Sequence, residues 1–332
     1  MIPVSPTWLA AHGKLWYDDP SYRLAWVVWP QAFCIVLVML FWAMPPSVAN
    51  VPWAKPIDGA ARGQQLQALR DAAKSNQSMM DSLERDARAG EMLAQFYYGT
   101  LFDPDLKLST IVKPDIGKAI DWYGLAARQG DESALNNLAL TFWRGTYTRV
   151  DYTRACFYAR KLNPNAPGNG LSLKGDCYAR GLGGTPVDME QAASAYETAT
   201  NRGNLHAAAA LGYFFENGLG GKPRNNEMAL KYYRAAADKG ESLGLHNLGS
   251  AYNLGSLGLQ RDGSEAARLI FHALENRYEV TVTSLTTRPD YWSADFWTNL
   301  QRRLAEKGLY SGTIDGRPNT ATLDAVKRLA KV

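Results

Sequence analysis

Polar and apolar positions recur along this chain with a fixed beat. Asp115, Asp151, Asp188, Asn225 and Asp262 stand 36, 37, 37 and 37 residues apart. Each is followed four residues later by an alanine: Ala119, Ala155, Ala192, Ala229 and Ala266. A self-similar period of this length marks stacked supersecondary units. Asp or Asn ahead of an Ala-rich run is also a helix start, because its side-chain oxygen accepts from the orphan N–H groups of the first turn. The beat predicts one helix begun five times, with these five residues as its structural caps.

A second series completes the unit. Phe102, Phe142, Tyr178, Phe215 and Tyr252 share one phase, late in a preceding helix. Gly145, Gly181, Gly218 and Gly255 follow the last four by three residues. Glycine takes the left-handed conformation of a helix C-terminus without steric cost, so the first helix of each unit is predicted to end there. Gly90, Gly130, Gly203 and Gly240 punctuate the joins between units. In the second helix, Ala119, Trp122-Tyr123 and Ala126-Ala127 recur as Ala192, Ala195-Tyr196 and Ala199-Thr200, and again as Ala229, Tyr232-Tyr233 and Ala236-Ala237. These offsets put small and aromatic residues on one stripe, which predicts core packing between hairpins. The fold class is all-α: an α-solenoid of about five helical hairpins over residues 90–277. Residues 59–89 are predicted to form a helical cap, which a terminal repeat needs to cover its apolar face.

The remaining segments carry other patterns. Residues 24–44 run LAWVVWPQAFCIVLVMLFWAM without a charge, long enough to cross a bilayer as one helix. Trp26, Trp29 and Trp42 near its ends suit the interface. A cleaved signal peptide is the competing reading, since Ser47-Val48-Ala49 places small residues at a cleavage position, but the apolar run and the leading tail (1–23) are long for one. Residues 45–58 carry four prolines and read as an extended spacer. Residues 278–293 read as a linker, with a short strand, a helix extension and a packed linker all open. From 294 to 332 two amphipathic helices flank a turn containing Gly312, Asp315 and Gly316.

The repeated text, such as NNEMALKYYRAAADKG from Asn225 and DIGKAIDWYGLAARQG from Asp115, resembles the Sel-one-like repeat, a helical hairpin related to tetratricopeptide repeats. The departures are a longer loop through Leu106–Lys113 in unit one, NPNAPGNG at the end of unit two, and Leu269-Ile270 in place of the aromatics of unit five. The C-terminal stretch, Leu300-Gln301, Leu304 and GLYSGTIDG from Gly308, resembles a peptidoglycan-binding domain, though Pro318-Asn319 stand where that family has Phe-Gly. That resemblance implies a cell-wall ligand. Gln301, Tyr310 and Asp315 would be its candidate glycan contacts, and a periplasmic body would follow.

Charge and chemistry narrow the picture further. The net charge is +4 with no long run of one sign, which argues against a nucleic-acid partner. His12, His206, His246 and His272 have no metal-ligand spacing. His206 and His246 are expected as half-exposed helix residues. GLGG at Gly181–Gly184 and at Gly218–Gly221 falls in inter-helix loops, away from any strand-to-helix phosphate cradle. No enzyme activity, metal or cofactor is predicted. Cys156 and Cys177 could pair in an oxidising compartment, but buried free thiols are the expected state.

Stacked hairpins leave an extended concave surface suited to recognition. The predicted function is a membrane-anchored scaffold for a protein or peptide partner at the cell envelope. Arg144, Tyr147, Arg180 and Asn217, near the ends of first helices, are the candidate contacts. The alternative is a cell-wall binding protein that uses its C-terminal module, with the solenoid as spacer. Lys14 and Arg23 before the apolar segment match Lys55 and Arg62 after it, so charge alone leaves orientation open. The predicted location is a bacterial inner membrane, single-pass, with the body in the periplasm.

Overall fold

The computed structural model describes residues 59–332. The tail, the predicted transmembrane helix at 24–44 and the spacer lie outside the described residues. Two compact units divide after Gln64, and the repeats lie wholly within the second, Gln65–Val332. Fifteen α-helices and no strand occur among the described residues. Helices α1 (Gly59–Ala73) and α2 (Gln77–Arg88) precede five hairpins. The hairpins are α3/α4 (Met92–Phe102, Ile116–Arg128), α5/α6 (Glu132–Arg144, Tyr152–Lys161), α7/α8 (Gly168–Arg180, Met189–Asn201), α9/α10 (Leu205–Asn217, Asn226–Ala237) and α11/α12 (Ser242–Leu254, Gly263–Glu275). Three further helices follow: α13 (Glu279–Thr287), α14 (Ala294–Glu306) and α15 (Thr320–Ala330).

The two sequence series meet in one hydrogen-bonded knot. Asp115, Asp151, Asp188, Asn225 and Asp262 each accept, through a side-chain oxygen, from the backbone N–H three residues on. Their own backbone N–H groups donate to the carbonyls of Phe102, Phe142, Tyr178, Phe215 and Tyr252, at 2.7 to 3.0 Å. Each cap therefore starts the second helix and pins it to the end of the first, satisfying orphan groups at both helix termini. Gly145, Gly181, Gly218 and Gly255 are C-caps with φ between 62° and 67°, the left-handed conformation the sequence predicts.

A third series holds each hairpin shut. Tyr123, Tyr196 and Tyr233 stand eight residues after their caps and are buried. Their rings lie against Gly99, Gly175 and Gly212, which stand three residues before the unit's phased aromatic. A methyl group at Gly175 would come within 2.5 Å of the Tyr196 ring, so the ring occupies the room that glycine leaves. In unit five Gly249 faces Ile270 in the same way. Unit two has lost both partners, with Ala139 and Ala159 at the two positions.

Unit two is where the cysteines sit. Cys156 on α6 and Cys177 on α7 form a disulfide with their Cα atoms 5.7 Å apart, and both residues are fully buried. The expectation of free thiols fails because hairpin stacking brings the second helix of unit two alongside the first helix of unit three. That proximity is invisible in a 21-residue sequence separation.

The C-terminal end is welded to unit five. Residues 278–293 form α13 and a short 3₁₀ turn (Pro289–Tyr291), and Trp292 beyond it is buried. One core cluster runs continuously from Ala266 and Ile270 of α12 through Leu285, Trp292, Phe296 and Trp297 to Val326 of α15. Polar bonds reinforce it. The Asn253 amide donates to the Tyr291 carbonyl and accepts from Ser293 N–H, and the Asp295 carboxylate accepts from Gly263 N–H. This segment closes the apolar face that the last repeat would otherwise expose.

Candidate partner-binding surface

The first helices of the units touch one another in succession, α5 to α7, α7 to α9 and α9 to α11, and form one row. Beneath it, the buried tyrosines carry the polar work. Tyr123 donates to Asp103 at 2.8 Å, Tyr196 to Asp176 at 2.7 Å and Tyr233 to Glu216 at 2.7 Å. Burial first, and then the neighbouring carboxylates, push all three phenols up, so each stays a hydrogen-bond donor. Asn137 and Asn247, each on the next unit's first helix, lie beside the Tyr123 and Tyr233 hydroxyls.

The joint between units three and four departs from this pattern. Alanine (Ala210) replaces the asparagine, and His206 one turn earlier supplies the polar group. Its Nε2 lies 3.4 Å from Asp176 Oδ1 and its Nδ1 3.4 Å from Glu241 Oε1. A neutral imidazole can donate from one nitrogen only, so carboxylates at both nitrogens require the imidazolium. Burial alone would pull His206 down; the charge and hydrogen bond of Asp176, then those of Glu241, outweigh it and hold the group up at about 10. Burial would raise Glu241, but hydrogen bonds from His206 and the Gly244 amide bring it below the usual carboxylate range. Asp176, His206 and Glu241 thus link three consecutive units, with the His206 side chain 36% exposed. His206 is the accessible member of the three, and the carboxylates at both ring nitrogens fix its position.

The other sequence candidates fall in varied places. Arg144 is exposed and lies 3.6 Å from Asp105 of unit one's loop. Tyr147 is exposed on the loop of unit two. Arg180 is half-buried at the end of α7. Asn217 is exposed, and its amide donates back to the Tyr213 carbonyl. These four belong to three different units. The histidines also need correcting. His206 is half-exposed as expected, but His246 is buried, with Nδ1 3.0 Å from Thr281 Oγ1, and burial lowers it to about 4.

The glycan candidates separate sharply. Gln301 is fully buried. Its Oε1 accepts from the Asp315 and Gly316 amides, while its Nε2 donates to the Arg317 carbonyl and Thr322 Oγ1. The side chain stitches the turn to α14 and α15 and has no group left for a ligand. Tyr310 is likewise buried and donates to the Thr313 carbonyl at 2.9 Å. Both are corrected from ligand contacts to internal ties, and Asp315 alone of the three is exposed. No group of three or more His, Cys, Asp or Glu residues placed to hold a metal occurs among the described residues.

Sequence reasoning passed over the tyrosine–carboxylate ties and the His206 row. A signal for the first was present: Gly99, Gly175, Gly212 and Gly249 hold one phase, and glycine repeated at one phase inside four helices marks a place where a neighbouring side chain approaches closely. The second had no signal, because Asp176, His206 and Glu241 meet only through stacking.

Stacked hairpins with a buried polar spine define a helical-repeat protein. The chain belongs to the Sel1 repeat family, whose model matches residues 93–131, 132–162, 170–204, 205–241 and 242–270, just over half its length. Among solved structures, it is similar to a protective antigen of uropathogenic Escherichia coli strains displaying an SLR fold. The identity is 21% and the TM-score 0.51, over 83% of this chain and 62% of that one. It is also similar to a Sel1 repeat protein from Oxalobacter formigenes, at 22% identity and a TM-score of 0.48, over 65% of this chain and 85% of that one. No curated protein matches the chain. Proteins of this family generally mediate protein–protein interactions as scaffolds, and the fold is typically non-catalytic.

Proposed function

We propose that this protein is a single-pass scaffold of the bacterial cell envelope. Residues 24–44 anchor it, the solenoid stands on the periplasmic side, and the first-helix row around His206 receives a protein or peptide partner. The observation that carries the placement is the Cys156–Cys177 disulfide, because disulfides form and persist in oxidising compartments and are rare in the cytosol. The Asp176–His206–Glu241 row supports recognition, since it offers fixed charge of both signs across three units. A reporter active only in the cytoplasm, fused after Val332, is expected to stay silent; signal from it would overturn the placement. Cell-wall binding remains a distinct reading, favoured only by the exposed Asp315 turn. Retention of the full chain in detergent on insoluble peptidoglycan, lost on Asp315→Ala, would support it. Equal recovery with and without peptidoglycan would remove it.

A further inference from the structure

Unit two is the defective unit of the array, in three independent ways. Its second helix, α6, is 10 residues long where the other four have 12 or 13. It carries Ala159 where units one, three and four carry the buried tyrosine, and its first helix carries Ala139 where the other four have the facing glycine. It closes on NPNAPGNG instead of the alanines and glycine that end units one, three and four. In units one, three and four the tyrosine sits where a second helix, its own first helix and the next unit's first helix converge, with Asp103 and Asn137, Asp176 and His206, or Glu216 and Asn247 as the polar partners. At the unit two–three joint no such phenol exists, and the disulfide joins the same two kinds of element there: the second helix of one unit to the first helix of the next.

We propose that the Cys156–Cys177 bond is an oxidation-dependent assembly lock that takes the place of the missing tyrosine clamp. The cap and units one and two then couple to units three to five as one cooperative body only after the thiols are oxidised. The chemistry is a two-electron thiol–disulfide exchange. One cysteine thiolate attacks the disulfide of an acceptor, displacing one acceptor thiolate and forming a mixed disulfide. The second cysteine then attacks its partner's sulfur, forming the Sγ–Sγ bond and releasing the acceptor as a dithiol, with the two protons of the chain's thiols passing to the acceptor sulfurs or to water. Both sulfurs are fully buried in the finished fold, so exchange takes place before α6 and α7 close on each other. After closure the bond is shielded from thiol reductants. The device is a one-way gate: the chain stays jointed in a reducing compartment and becomes rigid on reaching an oxidising one.

The test uses the full chain in detergent, and its readout does not depend on where the chain works in the cell. Hydrogen exchange and thermal melting are compared for the oxidised chain and for C156A/C177A. The oxidised chain is expected to melt in one transition. The variant is expected to melt in two, with exchange at least tenfold faster in Tyr152–Lys161 and Gly168–Arg180 while α9 to α12 keep their protection. The same single transition and the same protection pattern in the variant would overturn the proposal. Should the variant fail to fold, the wild-type chain decides. Refolded with a dithiol, it should melt in two transitions and return to one on adding an oxidised dithiol. Identical melting in both redox states would overturn the lock.

Discussion

Single residues divide here into those that hold the hairpins and those that read acidity. Tyr123 and Tyr233 test the first group. Each phenol donates to a carboxylate, but Asp103 is almost fully buried whereas Glu216 keeps some solvent. Removing a donor from a buried acceptor leaves the acceptor's desolvation uncompensated, at roughly 1–3 kcal/mol. Tyr123→Phe should therefore cost about 2 kcal/mol in urea unfolding and Tyr233→Phe clearly less; equal losses would mean that the carboxylates are equally hydrated. Gly175→Ala should cost roughly 1–3 kcal/mol by forcing the Tyr196 ring from its seat. At the equivalent place in unit two, Ala139→Gly meets no ring and should cost about 1 kcal/mol, from backbone entropy alone.

Acidity acts on His206 and His246 in opposite directions. His206 is raised to about 10, so its contribution is complete below its ordinary value near 6.5 and is lost as pH climbs through 10. Glu241 is lowered, so its share is present above its ordinary value and disappears as pH falls through the depressed one. His246 is lowered to about 4 by burial, so the unfolded chain binds the proton first and stability declines as pH falls from about 6.5 towards 4. The full span is on the order of 3 kcal/mol. Urea midpoints measured from pH 7 to pH 4 should fall steeply, and His246→Gln should flatten that slope. An unchanged slope would show that the acid sensitivity lies elsewhere.

At the level of helices, legibility followed physical range. Caps and C-terminal glycines act within four residues, so Asp188 and Gly181 declared themselves in the sequence and took the predicted conformations. Each cap side chain should be worth about 1 kcal/mol, checked by Asp188→Ala in denaturant unfolding. Segment 278–293 was opaque for the converse reason. Its Val- and Thr-rich text has weak helix propensity, and packing of α13, through Val282 and Leu285, in the core shared with α12 and α15 settles it as helix, with Trp292 beyond it against Phe296 of α14. Gln301 and Tyr310 misled similarly: a polar side chain that satisfies its own module's backbone looks, in sequence, the same as one that awaits a ligand.

The described repeats stack through a series of joints, and the one between units two and three is covalent. Closing a 21-residue loop with a disulfide contributes about 3 kcal/mol by the chain-entropy account, comparable to the clamp that unit two lacks. The 37-residue beat could be read from spacing alone. Which cysteines meet could not, since pairing depends on how successive hairpins stack. The same bond supports the proposed envelope placement, because disulfides persist in oxidising compartments and are rare in the cytosol. The most direct measurement is the thiol state in intact cells. Cells are quenched in acid, the protein is denatured, and free thiols are tagged with a mass-shifting maleimide. With three cysteines in the chain, one tag, on Cys34, is predicted before reduction and three after it. Three tags before reduction would contradict both the oxidised joint and the periplasmic placement.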